Sequence, residues 1–250
     1  MKKVSLILTT YNCKKNFQST MESILMQDYP EIEIVIADGG STDGTKELIE
    51  FYEKDLGNRL VWRSEEDDGI YDAMNKGYRM SSGELIAFFN DCFIRRDAVT
   101  LMAEAVEKGG EQCIGAHADL IYADGEKVIR YWKMGKGKIN QGWMPGHPTL
   151  YLKRHVYEQY GLYDTSYKCS ADYEFMIRIL KEKEESLVYV PKTILKMYYG
   201  GTSTGSTESY IVSLKEAHNA LRQNGVKNAW WIDVRRTFRV LGQFWKAKEY

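Results

Sequence analysis

Short apolar runs alternate with longer amphipathic stretches from residue 3 to residue 91, and no other feature constrains the fold as strongly. "KVSLILTTY" (3–11), "EIEIVIAD" (31–38), "RLVWRSE" (59–65) and "ELIAFFND" (84–91) are the apolar runs. They are short and rich in Val, Ile and Leu, as expected of strands buried on both faces. Between them, 15–29 and 45–56 carry apolar residues at three- and four-residue spacing, and 69–81 also reads as a helix. "GGSTDGT" (39–45) supplies a turn after the second strand. A β-α-β-α-β-α-β order predicts a parallel sheet with helices on its faces.

The chain is 250 residues long, enough for one large α/β domain with an appended segment. A net charge of −1 gives no global field to attract nucleic acid. The four cysteines, Cys13, Cys92, Cys113 and Cys169, form no CxxC pair, which argues against a zinc site and a disulfide framework and fits a cytoplasmic location. "VSLIL" is too short for a signal peptide, and no run is long enough to span a bilayer.

In open parallel sheets, ligands bind beyond the carboxyl ends of the strands. The first strand there presents Thr9, Thr10, Tyr11 and Asn12, and the second Asp38. The third presents Glu65, Glu66, Asp67 and Asp68, and the fourth Asp91. Crowded carboxylates repel one another. Their collection on one rim points to a cation, or to hydroxyl and N–H groups that they accept from. Neither GxGxxG after the first strand nor GxxxxGK[ST] anywhere is present, which disfavours a Rossmann dinucleotide site and a P-loop. Phosphates would then be bridged to carboxylates by Mg²⁺ or Mn²⁺.

"VSLILTTYN", "EIEIVIADGGSTDGT", "SEEDDGIYDAMNKG" and "SSGELIAFFND", in this order, resemble family 2 glycosyltransferases of the GT-A fold. The likeness continues in "MPGHPTLYLKRHVYEQYGLYD" and "CSADYEFMIRIL" and covers roughly residues 3–200. It implies a Rossmann-like, mostly parallel α/β sheet with helices on both faces and a helical C-terminal segment. The catalytic domain would be 1–205, with a nucleotide-binding half at about 1–95 and an acceptor half at about 96–205. Residues 206–250 would be the C-terminal segment.

The resemblance also implies roles. A nucleotide-sugar donor, a UDP-sugar favoured, gives its sugar to a hydroxyl of a glycan or lipid-linked glycan with inversion, assisted by Mg²⁺ or Mn²⁺. Thr9 and Tyr11 match residues lining the nucleobase pocket, and Asp38 the acid accepting from base or ribose. Asp67 matches the acid of the nucleoside and diphosphate region, and Asp72 and Asn75 match helix positions facing the donor. In "ADYEF", Asp172 matches the general base, with Glu174 the alternative. His147 borders the acceptor and donor sugar and is a further candidate for phosphate or metal. Gly201 and Ser203 lie in a Gly/Ser/Thr loop like the family's segment over the donor diphosphate.

One position departs from the family. Where it carries an aspartate-rich motif, this chain reads Asn90-Asp91-Cys92-Phe93. Either the loop is one residue shorter and Asp91 ligates the metal, the favoured reading, or the metal site is weakened and Asp91 contacts the ribose. Two other functions stay in view: a non-catalytic binding relative, which retention of "SADYEF" disfavours, and a nucleotidyltransferase, which lack of a Gly-rich basic loop disfavours. Residues 227–250 interleave aromatic and basic side chains. Such a helix suits peripheral contact with the inner leaflet of a membrane, and equally packing on the catalytic domain or on a second subunit as a homodimer.

Overall fold

The computed structural model describes residues 1–181, 186–198 and 207–247. The alternating segment folds as β1 (Val4–Thr10), α1 (Lys14–Leu25), β2 (Ile32–Asp38), α2 (Thr45–Leu56), β3 (Leu60–Ser64), α3 (Ile70–Met80) and β4 (Leu85–Phe88). Its four strands are parallel, in the order β3-β2-β1-β4. Strand alternation divides the core. Leu6, Leu8, Ile34 and Ile36 pack with Phe17 and Met21 of α1 and Ile49 of α2. Ile7 and Val35 turn to the opposite face, against Tyr71 and Met74 of α3. Both faces are thus covered, and the strand ends are level: Thr10 lies opposite Asp38, and Asp38 opposite Ser64.

The second half is antiparallel where it joins the first. The chain continues through β5 (Cys92–Phe93), α4 (Ala98–Lys108), β6 (Gly115–Asp124), β7 (Lys127–Trp132), β8 (Tyr151–Lys153), α5 (Arg154–Tyr160), α6 (Ala171–Leu180) and β9 (Leu187–Tyr198). β8 pairs antiparallel with both β4 and β6, and β9 runs parallel to β6 and antiparallel to β5. The described sheet has nine strands, with β7 paired to β6 beside the main path.

Two helices close the chain, α7 (Thr207–Gln223) and α8 (Ala229–Lys246). Ala217, Ala220 and Leu221 of α7 and Ala229 and Ile232 of α8 join the α3 and α6 side of the core. Gly142, at φ +70°, lets the α8 backbone approach closely; a Cβ there would lie 2.6 Å from the Arg236 backbone nitrogen. Among the described residues, no helix is long and apolar enough to cross a membrane.

Candidate active site

Asp38 organises the end of β2. One oxygen accepts from the Thr10 and Ser41 hydroxyls, at 2.8 and 2.5 Å. The other accepts from the Gly40 and Ser41 backbone N–H groups and the Ser64 hydroxyl. Burial opposes ionisation, but these bonds hold its carboxyl below the usual range. These bonds hold Asp38 in the turn it shapes, and Asp38 also lines the cleft at this strand end, so accepting from a base or ribose stays a proposed role.

That turn brings Tyr11 and Asp67 together across Gly39. A Cβ at Gly39 would lie 2.3 Å from Asp67 Oδ2 and 3.4 Å from the Tyr11 ring, so only glycine leaves the acid its present place. The Tyr11 side chain is 67% exposed, an open aromatic face. Thr9 is fixed from the β4 side, where Asn90 Oδ1 accepts from its N–H and Asn90 Nδ2 donates to its hydroxyl. A cleft of about 230 Å³ opens beside this group, lined by Arg63, Glu65, Asp67, Lys76 and Arg79 among others.

The two helix positions expected to face a donor are engaged elsewhere. Asn75 is buried and clamps the Tyr163 backbone, donating to its carbonyl at 2.9 Å and accepting from its N–H at 3.0 Å. Asp72 pairs with Lys76 at 3.0 Å and accepts from the Asp68 N–H. Asn75 thus spends its amide on the Tyr163 backbone, whereas the Asp72 carboxylate stays 22% exposed. Lys76, absent from the sequence-based candidates, also reaches Glu65 and the Glu66 carbonyl.

The larger cavity, about 670 Å³, lies between α3, the β4 exit, α6 and α8. Asp172 and Asp91 are its two lining carboxylates, against four cations: Lys133, Lys168, Arg236 and Arg239. Asp172 sits in the first turn of α6. Tyr71 of α3 donates to its Oδ1 at 2.9 Å, across 101 residues of sequence. Burial, then the adjacent carboxylate, push the Tyr71 hydroxyl far above the usual phenol range, so it stays a donor. Glu174, the alternative, is buried and held by Arg178 at 2.7 Å and Asn224 at 3.1 Å, and it is not among the residues lining this cavity.

His147 lines the same cavity, stacked on Phe88 and bonded through Nε2 to the Tyr163 hydroxyl at 2.8 Å. Burial holds it below the usual imidazole range, against the pull of Asp172. Among the described residues, no trio of His, Cys, Asp and Glu comes together to hold a metal. His147 shares this cavity with Asp172 and Asp91, and its Nε2 is engaged by the Tyr163 hydroxyl.

Asp91 is the acid at the β4 exit. Immediately after it the chain enters β5, where Cys92 and Phe93 are buried and pair with Lys196 and Leu195 of β9. Cys92 Sγ lies 3.2 Å from the Tyr198 hydroxyl. Burial pushes Asp91 up to about 7, opposed by the Tyr198 backbone N–H. Among the described residues no ion pair engages Asp91, and a buried carboxylate lining a cavity with a backbone amide against it fits one divalent ion whose remaining ligands come from a substrate's phosphates. Gly201 and Ser203 lie outside the described residues.

A doubly covered sheet with a polar carboxyl edge, a cleft at that edge and an acid-bearing cavity beside it has the form of a GT-A transferase. The chain belongs to glycosyl transferase family 2, whose model matches residues 5–171, and it is a glycosyltransferase. A PGL/p-HBAD biosynthesis glycosyltransferase of Mycobacterium bovis is 28% identical over 183 residues, spanning 70% of this chain and 68% of the relative. A Methanococcus voltae dolichyl N-acetyl-alpha-D-glucosaminyl phosphate 3-beta-D-2,3-diacetamido-2,3-dideoxy-beta-D-glucuronosyltransferase is 24% identical over 252 residues, 92% of this chain and 77% of that one. Among solved structures, S. aureus TarS 1-349 in complex with UDP-GlcNAc matches with a TM-score of 0.72 at 17% identity, covering 96% of this chain and 73% of that chain. The mannosyltransferase PcManGT from Pyrobaculum calidifontis, in complex with GDP-Man and Mn²⁺, matches with a TM-score of 0.66 at 17% identity, covering 96% and 74%.

Proposed function

We propose that the chain transfers a sugar with inversion from a nucleotide-diphosphate sugar, a UDP-sugar favoured, to a hydroxyl acceptor in surface polysaccharide synthesis. The observation that carries this reading is Asp172, in the larger cavity and held at one oxygen by Tyr71. Its carboxylate takes the proton of the acceptor hydroxyl. The oxygen so freed attacks the anomeric carbon from the face opposite the diphosphate, and the electrons of the breaking C–O bond leave with the diphosphate. Tyr71 keeps the base aimed, and His147, kept neutral by burial, forms part of the wall beside it.

Tyr11, Thr9 and Asp67 hold the nucleoside, with the Tyr11 ring offering a face for the base. Asp91, together with donor phosphate oxygens, would hold Mg²⁺ or Mn²⁺, which stabilises the departing diphosphate's charge when bound. Gly201 and Ser203 remain assigned to the diphosphate region. Peripheral contact with a membrane through residues 227–250, from the inner leaflet, belongs to the same reading. Incubation with a panel of nucleotide sugars, with and without Mn²⁺, tests it through release of nucleoside diphosphate. No release from any donor, with a range of hydroxyl acceptors supplied, overturns it.

A further inference from the structure

Helix α8 presents two faces. Ala229, Ile232 and Gln243 are buried against the body of the enzyme, and the Gln243 side chain accepts from Arg130. On the opposite side, Trp230, Trp231, Phe238, Leu241 and Trp245 are 57–78% exposed. At 100° per residue these five fall within about one third of the helix circumference. Five large apolar side chains in one stripe are not the scattered exposure normal on a surface.

Charge identifies what covers the stripe. Residues 227–247 hold five cations and one acid, a net charge of +4, whereas the remaining 29 cations and 34 acids carry −5. An otherwise acidic chain thus concentrates its positive charge on its most aromatic helix. A second copy seated symmetrically on this face would set +4 against +4. Anionic headgroups would complement it, and Trp favours the boundary between headgroups and acyl chains.

Beside the stripe lies a groove of about 480 Å³, distinct from the catalytic cavity. Its polar lining is Asn140, Gln141, Lys227, Asn228 and Arg235, with Trp231 at its edge. It contains two cations and no acid. Arg235 is braced by donating to the Asn140 carbonyl at 2.8 Å. Gly142 locks this part of α8 against the turn that carries Asn140 and Gln141. The groove is therefore a rigid, cationic, amide-lined recess opening next to an apolar face.

We infer that this groove binds the phosphate headgroup of an anionic lipid while the Trp and Phe stripe seats in the bilayer interface. The inference rests on the peripheral-membrane reading above and adds a specific lipid site to it. Lys227 and Arg235 contact the phosphate, Asn140, Gln141 and Asn228 the polar remainder of the headgroup, and Trp231 the glycerol and upper acyl region. Because α8 also lines the catalytic cavity through Arg236 and Arg239, seating it fixes the cavity next to the membrane surface.

The test is vesicle flotation of the full chain, with phosphatidylcholine vesicles with or without phosphatidylglycerol, while donor hydrolysis is followed without lipid. Wild type should float with phosphatidylglycerol vesicles far more than with phosphatidylcholine alone. Lys227→Ala/Arg235→Ala should lose most of that preference, about 10- to 30-fold in affinity at roughly fivefold per cation. Phe238→Ser/Trp245→Ser, both on the exposed stripe, should abolish flotation with either vesicle and leave donor hydrolysis unchanged. Equal flotation of wild type with both vesicles overturns the headgroup site and leaves the membrane reading standing. No flotation with either overturns both. A wild-type dimer that becomes monomeric in Phe238→Ser/Trp245→Ser, without vesicle binding, assigns the stripe to a second copy instead. Competition by soluble glycerol 3-phosphate at the same concentration as lipid phosphate assigns the groove to a free phosphate.

Discussion

If Asp172 is the base and Tyr71 its positioning partner, their substitutions must fail to add. Asp172→Asn preserves shape, and the Tyr71 hydroxyl 2.9 Å away can still donate to the remaining oxygen. Folding stability should change by less than about 1 kcal/mol. Turnover should fall about 10²- to 10⁴-fold, the usual contribution of a general base and roughly 3–5 kcal/mol of barrier. Tyr71→Phe removes only the hydroxyl. A hydrogen bond to a charged acceptor is worth about 1.5–3 kcal/mol, and Asp172 can still act from other rotamers, so a loss near tenfold is expected. With Asp172 gone there is nothing to aim. The double variant should then match Asp172→Asn within about twofold. Glu174→Gln is the control. It leaves Arg178 short of its counter-charge and costs about 2 kcal/mol of stability, without changing turnover per folded molecule. The assay is single-turnover release of nucleoside diphosphate, with urea melts for stability. Multiplicative losses in the double variant, or near-normal turnover in Asp172→Asn, refute the reasoning.

Three further perturbations probe other parts of the molecule. Asp91→Ala should remove the Mn²⁺-dependent part of nucleoside diphosphate affinity in calorimetry; a wild type indifferent to metal would return Asp91 to the ribose-contact alternative. Gly39→Ala should push Asp67 away from Tyr11 and weaken UDP binding about tenfold with little loss of stability, since the 2.3 Å clash is with a side-chain tip; unchanged affinity would remove this wall from the nucleoside site. Glu33 of β2 is buried, which alone would raise its pKa, but Lys3, Ser5 and Ser82 hold it down at about 2. Its folded pKa is below its unfolded one, so its contribution is full above about pH 4.5 and is lost as pH falls towards 2. Glu33→Gln should cost about 2–3 kcal/mol at pH 7 and close to nothing near pH 2 by urea melts, and an equal cost at both would sink the linkage argument.

The first half of the fold was legible because its signals are local. Each of β1 to β4 is a short apolar run, and Ile7 and Leu8 face opposite sides as strand alternation demands. The second half depends on distant partners. β5 is two residues long and exists only because Cys92 and Phe93 meet Lys196 and Leu195 some hundred residues on. The site divides the same way. Asp172 stands out in a local motif as the proposed base, whereas its hydrogen-bond partner Tyr71 lies 101 residues earlier and looks like one aromatic among eighteen tyrosines. Asp38, Asp72 and Asn75 were read as facing a ligand because polar residues in a ligand motif invite that reading. No pattern in one sequence tells whether a polar side chain is also bonded within its own protein, as Asp38 is to its turn and Asn75 to the Tyr163 backbone.

The departure at Asn90-Asp91-Cys92-Phe93 has a physical cause. Two acids following Asp91 would have to occupy the positions of Cys92 and Phe93, which are 7% and 3% exposed and paired into the sheet. Phe93 also stacks on Phe89 at 4.2 Å, and the Phe93 N–H donates to the Ser23 hydroxyl of α1. Ionised carboxylates there would be buried without partners, at a cost of several kcal/mol each. Asp91 is thus the last position at which this strand can carry a charge before the chain re-enters the core. Asn90 cannot share the duty, because both ends of its amide are committed to Thr9. A cation at this exit would therefore draw one protein carboxylate from the strand and depend on the donor's own phosphates for most of its coordination. Metal and donor affinities would then be coupled: each should be weak alone and strong together, and calorimetric titration of Mn²⁺ with and without UDP reads that coupling directly.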